Sequence, residues 1–242
     1  MKREGPILAW QLQEQLKNDP EYQARMREKY KQLDRLYQIC LADEEGLLKE
    51  LLDVGIEVEC VFDLVNTRAS YPTAIPVLLK HLQQEHHQKI REGIIRALTV
   101  REARGIAEDI LISEFKKAPD RDYVEQLHKW LLANALAEVA SEKYKDAILE
   151  LIRDEKHGKA RMMLPRALAR FKGEEINKTL LDIIYHGKDY LLGKAIWALG
   201  KRKVFESMPR IRELTNHSSS DIRKIARVAL KKLEKYRSKN ID

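Results

Sequence analysis

The stretch Ile222-Arg223-Lys224-Ile225-Ala226-Arg227-Val228-Ala229-Leu230 decides the reading of this chain, because close variants of it occur five times. Its Ala-Leu ending recurs at Ala97-Leu98, Ala135-Leu136, Ala167-Leu168, Ala198-Leu199 and Ala229-Leu230, with separations of 38, 32, 31 and 31 residues. Seven positions before each Leu stand Arg91, Lys129, Arg161, Leu192 and Arg223, basic in all but one case. Apolar residues at 222, 225, 226 and 229 fall on one face of a helix. A period in this range is the mark of a repeat architecture.

A second amphipathic segment precedes each of these, at 74–82, 106–115, 146–154, 178–186 and 208–216. Breaks separate the segments at Ala118-Pro119-Asp120, His157-Gly158, Lys172-Gly173, His186-Gly187 and Ser218-Ser219-Ser220-Asp221, the last offering Asp221 as an N-cap. Pro76 and Pro209 suit first turns, where the amide needs no intrahelical acceptor. Each repeat therefore reads as a helical hairpin that cannot bury both faces alone and is completed by stacked neighbours.

The pattern resembles the HEAT-repeat family, in particular its short bacterial form of the phycobilisome-lyase type, with an Ile/Val-Arg pair followed by Ala-Leu seven residues after the Arg. Ile90-Arg91 and Ile222-Arg223 keep both parts; Ala160-Arg161 keeps the Arg, His128-Lys129 is looser, and Leu191-Leu192 has lost the charge. The resemblance implies an all-α, right-handed α-solenoid of five to six HEAT-like helical hairpins. It is good over 73–236 and weaker over 44–72, where 47–52 and 58–65 read as a degenerate first hairpin. The β-branched content of 56–65 would also suit a strand, but its place in the repeat favours helix. Residues 1–43 read as a helical N-terminal cap of two helices, 7–16 and 21–42, split at Asn18-Asp19-Pro20 and covering the open end. The solenoid then spans 44–236, and 237–242 is expected to fray.

The 242 residues are 44% hydrophobic and 34% charged, with only 10 Gly and 7 Pro, too little turn chemistry for a β-sandwich or a Gly-looped α/β enzyme. Residues 1–14 lack the apolar core of a signal peptide, and no stretch approaches the ~18 apolar residues of a membrane span. Cys40 and Cys60 are too few for a disulfide framework and read as buried free thiols. A cytoplasmic monomer without membrane contact is the expectation.

Charge is uneven. Residues 1–155 carry 23 Lys and Arg against 29 Asp and Glu, whereas 156–242 carry 22 against 9. The basic half points to an acidic partner or to nucleic acid.

Searches for chemistry return little. There is no phosphate loop, nucleophile elbow, zinc-protease helix or Cys-x-x-Cys, so no catalytic residue, metal or cofactor is assigned. His86-His87 are adjacent on the chain and do not share a helix face for a metal. The HEAT-built deoxyhypusine hydroxylases need His-Glu dipeptides, which this chain lacks. HEAT-like alkylpurine DNA glycosylases are similar in size and charge; Trp130, Tyr190 and Trp197 with Asp189 and Asp221 are the residues that would serve, but none sits in a matching motif. A chromophore lyase or its chaperone rests on the repeat alone.

What remains is the face of the second helices, which lines the concave side in the HEAT family. Counting back from each anchor Leu, positions minus 2, 3, 6 and 7 point outward. They include Arg91, Glu92 and Arg96; Lys129, Trp130 and Asn134; Arg161, Met162 and Arg166; Trp197; and Arg223, Lys224 and Arg227. A basic stripe with interleaved aromatics suits an acidic protein or peptide, since Arg, Trp and Met are enriched at interface centres. It also suits nucleic acid, whose phosphates neutralise cations and whose bases stack on Trp. The leading expectation is a non-catalytic scaffold gripping a protein partner, with a nucleic-acid-binding or repair protein as the alternative. The cations at minus 7 could instead be structural, which leaves Arg96, Arg166, Lys224 and Arg227 to carry more of the argument.

Overall fold

The computed structural model describes residues 8–119 and 125–238, and all the regular secondary structure there is helical. The order is α1 (Ala9–Asn18), α2 (Pro20–Asp53), α3 (Val61–Asn66), α4 (Ala74–Leu82), α5 (Gln88–Ala97), α6 (Glu108–Lys117) and α7 (Glu125–Val139). There follow α8 (Lys145–Arg153), α9 (Pro165–Leu168), α10 (Glu174–His186), α11 (Asp189–Arg202), α12 (Met208–Leu214) and α13 (Ser220–Ser238). Asp120 of one expected break and 239–242 of the expected frayed tail lie outside the described residues. Helix α13 continues through 237–238, past the expected start of fraying.

Consecutive helices pair as the repeat requires: α4 with α5, α6 with α7, α10 with α11 and α12 with α13. The second members also touch one another in chain order, α3 to α5, α5 to α7, α7 to the 155–168 segment, that segment to α11, and α11 to α13. The Ala-Leu anchors sit in the core these contacts create; all are buried except Leu230, which is half-buried. Each fully buried Leu contributes about 1.5–3 kcal/mol relative to exposure, so the recurring pair is the main sequence-encoded glue.

Residues 61–66 form helix, not strand, and α3 packs on α5. The approach is close because α5 carries Gly93 opposite Val61: a Cβ there would overlap Val61 Cγ1 and lie 3.1 Å from the Phe62 ring.

The second element of the fourth hairpin is two short 3-10 turns within Glu155–Met163, parted at the non-helical Gly158 where the sequence places a break, before the single turn of α9. Pro165 has no amide to offer and its ring clashes with the carbonyl four residues back. The chain tightens instead, with the Leu164 amide donating to the Arg161 carbonyl at 3.0 Å.

The N-terminal region departs from expectation. Asp19 caps α2 as the Asn-Asp-Pro break implies, its Oδ1 accepting the amides of Glu21 and Tyr22 at 2.9 and 3.1 Å. Helix α2 then runs 34 residues, straight through the expected boundary at 43/44. Only its last turns, with Glu44, Leu47 and Leu51 buried, join the core; Tyr30, Leu33 and Tyr37 are exposed and cover nothing. Cys40 and Cys60 are half-buried rather than buried.

Candidate partner-binding face

The four basic residues at minus 7 all bind backbone carbonyls, and three of them do so at the end of a helix. The last carbonyls of a helix have no intrahelical donor and gather negative potential. Arg91 donates to the Leu82 carbonyl that ends α4 (2.7 Å), Lys129 to Ala118 after α6 (2.8 Å), and Arg223 to His217 and Ser218 after α12 (both 2.7 Å). Arg161 binds the Ile152 carbonyl of α8 at 2.5 Å. Arg91, Lys129 and Arg161 thus close the first helix of their own hairpins, whereas Arg223 ties down the loop beyond α12, which ends at Leu214. The hairpin that has Leu192 at this position borrows a cation instead: Arg210, from α12, donates to the Ile184 carbonyl of α10 at 2.9 Å.

The outward placement expected for these residues is corrected accordingly. Lys129 and Arg161 are 1% and 3% exposed, and Lys129 lies 5.1 Å above the Phe115 ring. Arg91 is half-buried and paired with Glu114 at 2.6 Å. Glu92, also expected outside, is buried and holds Arg96 through two hydrogen bonds of 3.0 and 2.8 Å. Trp130 and Met162 are half-buried against the core.

A different row survives at the surface. The residues two before each anchor, Arg96, Asn134, Arg166, Trp197 and Val228, lie on successive second helices and meet their neighbours. Arg96 and Asn134 line one polar cleft of about 420 Å³ beneath Arg68 and Thr99. Arg166 reaches across to Glu138 of α7 at 2.8 Å. Trp197 and Val228 line a second cleft of about 400 Å³ between α11 and α13.

That second cleft is floored by apolar atoms and rimmed by charge. Its floor is Gly200, Ala229 and Ile225; its rim is Lys224, Lys232 and Asp221. Gly200 brings the helices together, since a Cβ on it would sit 3.2 Å from the Ala229 Cβ. Trp197 is 36% exposed and Val228 51%, with Lys201 Nζ 5.1 Å from the indole ring. The sequence-predicted Trp197 and Lys224 are therefore brought together, and Arg227 is exposed on the same helix. Asp221 falls inside the first turn of α13, so it complements the helix dipole there and is not the N-cap.

Counting back from the anchors missed a cluster that counting forward reveals. Two residues beyond their Leu stand Glu138 and Arg170, and after the second helix of an earlier hairpin come Arg101 and Arg104. Arg104 donates to the Glu138 carbonyl at 2.9 Å, Arg170 to the Ala140 carbonyl at 3.2 Å, and Arg101 lies 3.6 Å from the Glu138 carboxylate. With Arg166, four guanidiniums gather at the end of α7, two of them on the Glu138 carboxylate. Burial lowers the pKa of Arg170, and the neighbouring Arg104, Arg166 and Arg101 lower it further while Glu138 opposes them.

The residues weighed for glycosylase chemistry do not converge as a set. Trp197 and Asp221 share the α11–α13 cleft, but Tyr190 is half-buried with its hydroxyl on Arg161 at 3.3 Å, and Asp189 lies 3.7 Å from His217. Among the described residues no three His, Cys, Asp or Glu are placed to hold a metal, and no helix is long and apolar enough to cross a membrane. No family model matches the chain, and no curated protein matches it significantly.

His86 and His87 turn out to work separately, in a network that ties α2 to α4. His86 Nδ1 lies 3.0 Å from Asp43, and its Nε2 lies 2.9 Å from His81 Nδ1; the His87 amide donates to the same Asp43 at 2.9 Å. A carboxylate at Asp43 takes the Nδ1 proton of His86, and a neutral His86 then accepts at Nε2 from His81 Nδ1–H. His81 is buried, and its Nε2 faces Glu50 at 3.5 Å without a hydrogen bond. Burial, more than any neighbour, lowers the pKa of His81 from its ordinary 6.5. A base whose pKa falls on folding binds protons more readily when unfolded, so its contribution to stability is full above the unfolded pKa and declines as the pH drops through the folded one. Thermal unfolding followed by circular dichroism should show a midpoint that falls from pH 7.5 to pH 5.5, and His81→Gln should flatten that slope. Equal slopes in both proteins would assign the acid sensitivity to other groups.

Proposed function

We propose that this chain is a non-catalytic binding scaffold, built as a right-handed HEAT-like α-solenoid, that grips an acidic protein partner on the face of its second helices. The ordered contacts between second helices and the capping role of Arg91, Lys129 and Arg161 support the solenoid reading. The observation that carries the functional reading is the α11–α13 cleft. Its apolar floor beside Trp197 offers a seat for one apolar side chain of a segment whose flanking carboxylates meet Lys224 and Lys232, the two cations that outnumber Asp221 on the rim. A cytoplasmic monomer is the form this reading assumes.

The test uses a labelled peptide of Asp and Glu residues around a single Leu. It should bind the whole protein and change its tryptophan fluorescence. Lys224→Glu with Lys232→Glu should weaken binding at least about tenfold while the helical signal is unchanged, since each exposed charge reversal removes an attraction and adds a repulsion. A nuclease-treated pull-down gives the contrary arm. If every captured partner disappears with nuclease, the exposed indole serves base stacking and the alternative, a nucleic-acid-binding protein, replaces this reading.

A further inference from the structure

The cluster of Arg101, Arg104, Arg166 and Arg170 about Glu138 is more charge than its structural task needs. That task is to satisfy the carbonyls at the end of α7, and the same task at the end of α9 falls to Arg202 alone, which binds the carbonyls of Leu168 and Phe171. Arg166 and Arg101 contact no carbonyl at all; they face the Glu138 side chain. Positive groups outnumber the carboxylates here, Glu138 and the Glu108 that accepts the Gly105 and Ser141 amides, and this crowding is among the causes of the lowered Arg170 pKa. Donors remain in hand. A guanidinium has five N–H groups, and the bonds of Arg104, Arg166 and Arg170 each use a single nitrogen, Nη2.

We propose that this cluster is a phosphate-monoester site, which takes a phosphorylated side chain of the protein partner. This rests on the reading that the partner is a protein lying along the second helices. A phosphomonoester brings a charge of about −1.5 to −2 and three acceptor oxygens at one point, matching converging guanidinium forks. A phosphodiester backbone brings one charge per residue and needs a track of cations. The surface row does not continue as such a track: on one side come Asn134 and the Glu92-paired Arg96, and on the other the indole of Trp197. Helices α9 and α11 are in contact, so the arginine cluster and the Trp197 cleft are neighbouring stations for one bound segment.

Inorganic phosphate should shift the arginine Nε–H resonances of Arg101, Arg104, Arg166 and Arg170, and leave that of the distant Arg212 in place. Labelled acidic peptides carrying one Leu and one phosphoserine, at several separations, should include one that binds at least about tenfold more tightly than its serine counterpart. Arg101→Gln with Arg104→Gln should reduce that preference to less than about twofold with serine-peptide affinity unchanged, and should lower the thermal midpoint only slightly, because the Glu138 carbonyl that Arg104 leaves is open to water. Both side chains are exposed, so the fold should tolerate the change. If the serine peptides bind and alter tryptophan fluorescence but no phosphoserine peptide gains more than twofold, the phosphate site is refuted while the proposed function stands. If neither peptide binds and a single-stranded oligonucleotide shifts the four arginine resonances, both are refuted in favour of nucleic acid.

Discussion

Ala167→Glu is expected to cost about 3–5 kcal/mol of unfolding free energy, the range for stranding one charge in an interior without a partner. Ala167 has no exposed surface, and α9 is enclosed by α7, α8, α10 and α11. The neighbouring helices carry fully buried apolar residues, among them Leu132 and Leu136 on α7 and Ile196 and Leu199 on α11. A carboxylate there must desolvate or protonate. Ala167→Leu separates charge from size, because overpacking alone costs about 1–3 kcal/mol. Urea unfolding of the two variants should therefore rank Leu nearer the parent and Glu far below it. A Glu variant as stable as the parent would mean that the Ala-Leu pair does not mark the core.

The Ala-Leu recurrence could be read correctly because burial requires small and branched apolar side chains at fixed spacing, and that requirement is written in the residue types themselves. The same holds for Asp19-Pro20, where cap and first turn are a local matter. Three features were illegible for physical reasons. Helix α2 passes position 43 because no residue near it breaks a helix; Gly46 is tolerated in open space, and periodicity cannot register a boundary that the backbone does not make. Tyr30 and Tyr37 obey helical spacing yet face solvent, since an amphipathic stripe shows what could be buried and not what is there to bury it. The minus-7 cations were placed outward by a helical wheel, which gives direction around the axis but not along it. Helical side chains tilt toward the N-terminus, and long ones at the start of a second helix therefore reach the carbonyls that end the first. Of the arginine cluster only Arg166 was legible: Arg101, Arg104 and Arg170 follow their anchor Leu residues, and Arg101 and Arg104 lie outside any helical periodicity.

That longitudinal reach makes Arg161 the most consequential of the capping cations. Its guanidinium donates to the Ile152 carbonyl, to the Gly158 carbonyl at 3.3 Å and to the Tyr190 hydroxyl at 3.3 Å, and so joins α8, the 3-10 segment and α11. Gly158 sits at φ 50, a left-handed turn that the Arg161 contact holds against the segment. Hydrogen bonds from a charged donor contribute about 1.5–3 kcal/mol each, and the carbonyls left behind are buried or nearly so. Removing the charge also relieves its own desolvation, which offsets part of the loss. Arg161→Leu should then destabilise by about 3 kcal/mol, and Arg161→Lys should fall between, because an ammonium can still serve Ile152 as Lys129 serves Ala118 but cannot bridge to Tyr190 as well. Leu192→Arg is the complementary change: Leu192 is buried and Arg210 already holds the Ile184 carbonyl, so the added cation replaces core packing without a waiting acceptor and should destabilise by about 3–5 kcal/mol. Chemical denaturation of the three variants tests the order. If Arg161→Leu costs no more than a surface substitution, the Ile152 carbonyl does not depend on it, and the minus-7 cations return to the partner-binding face.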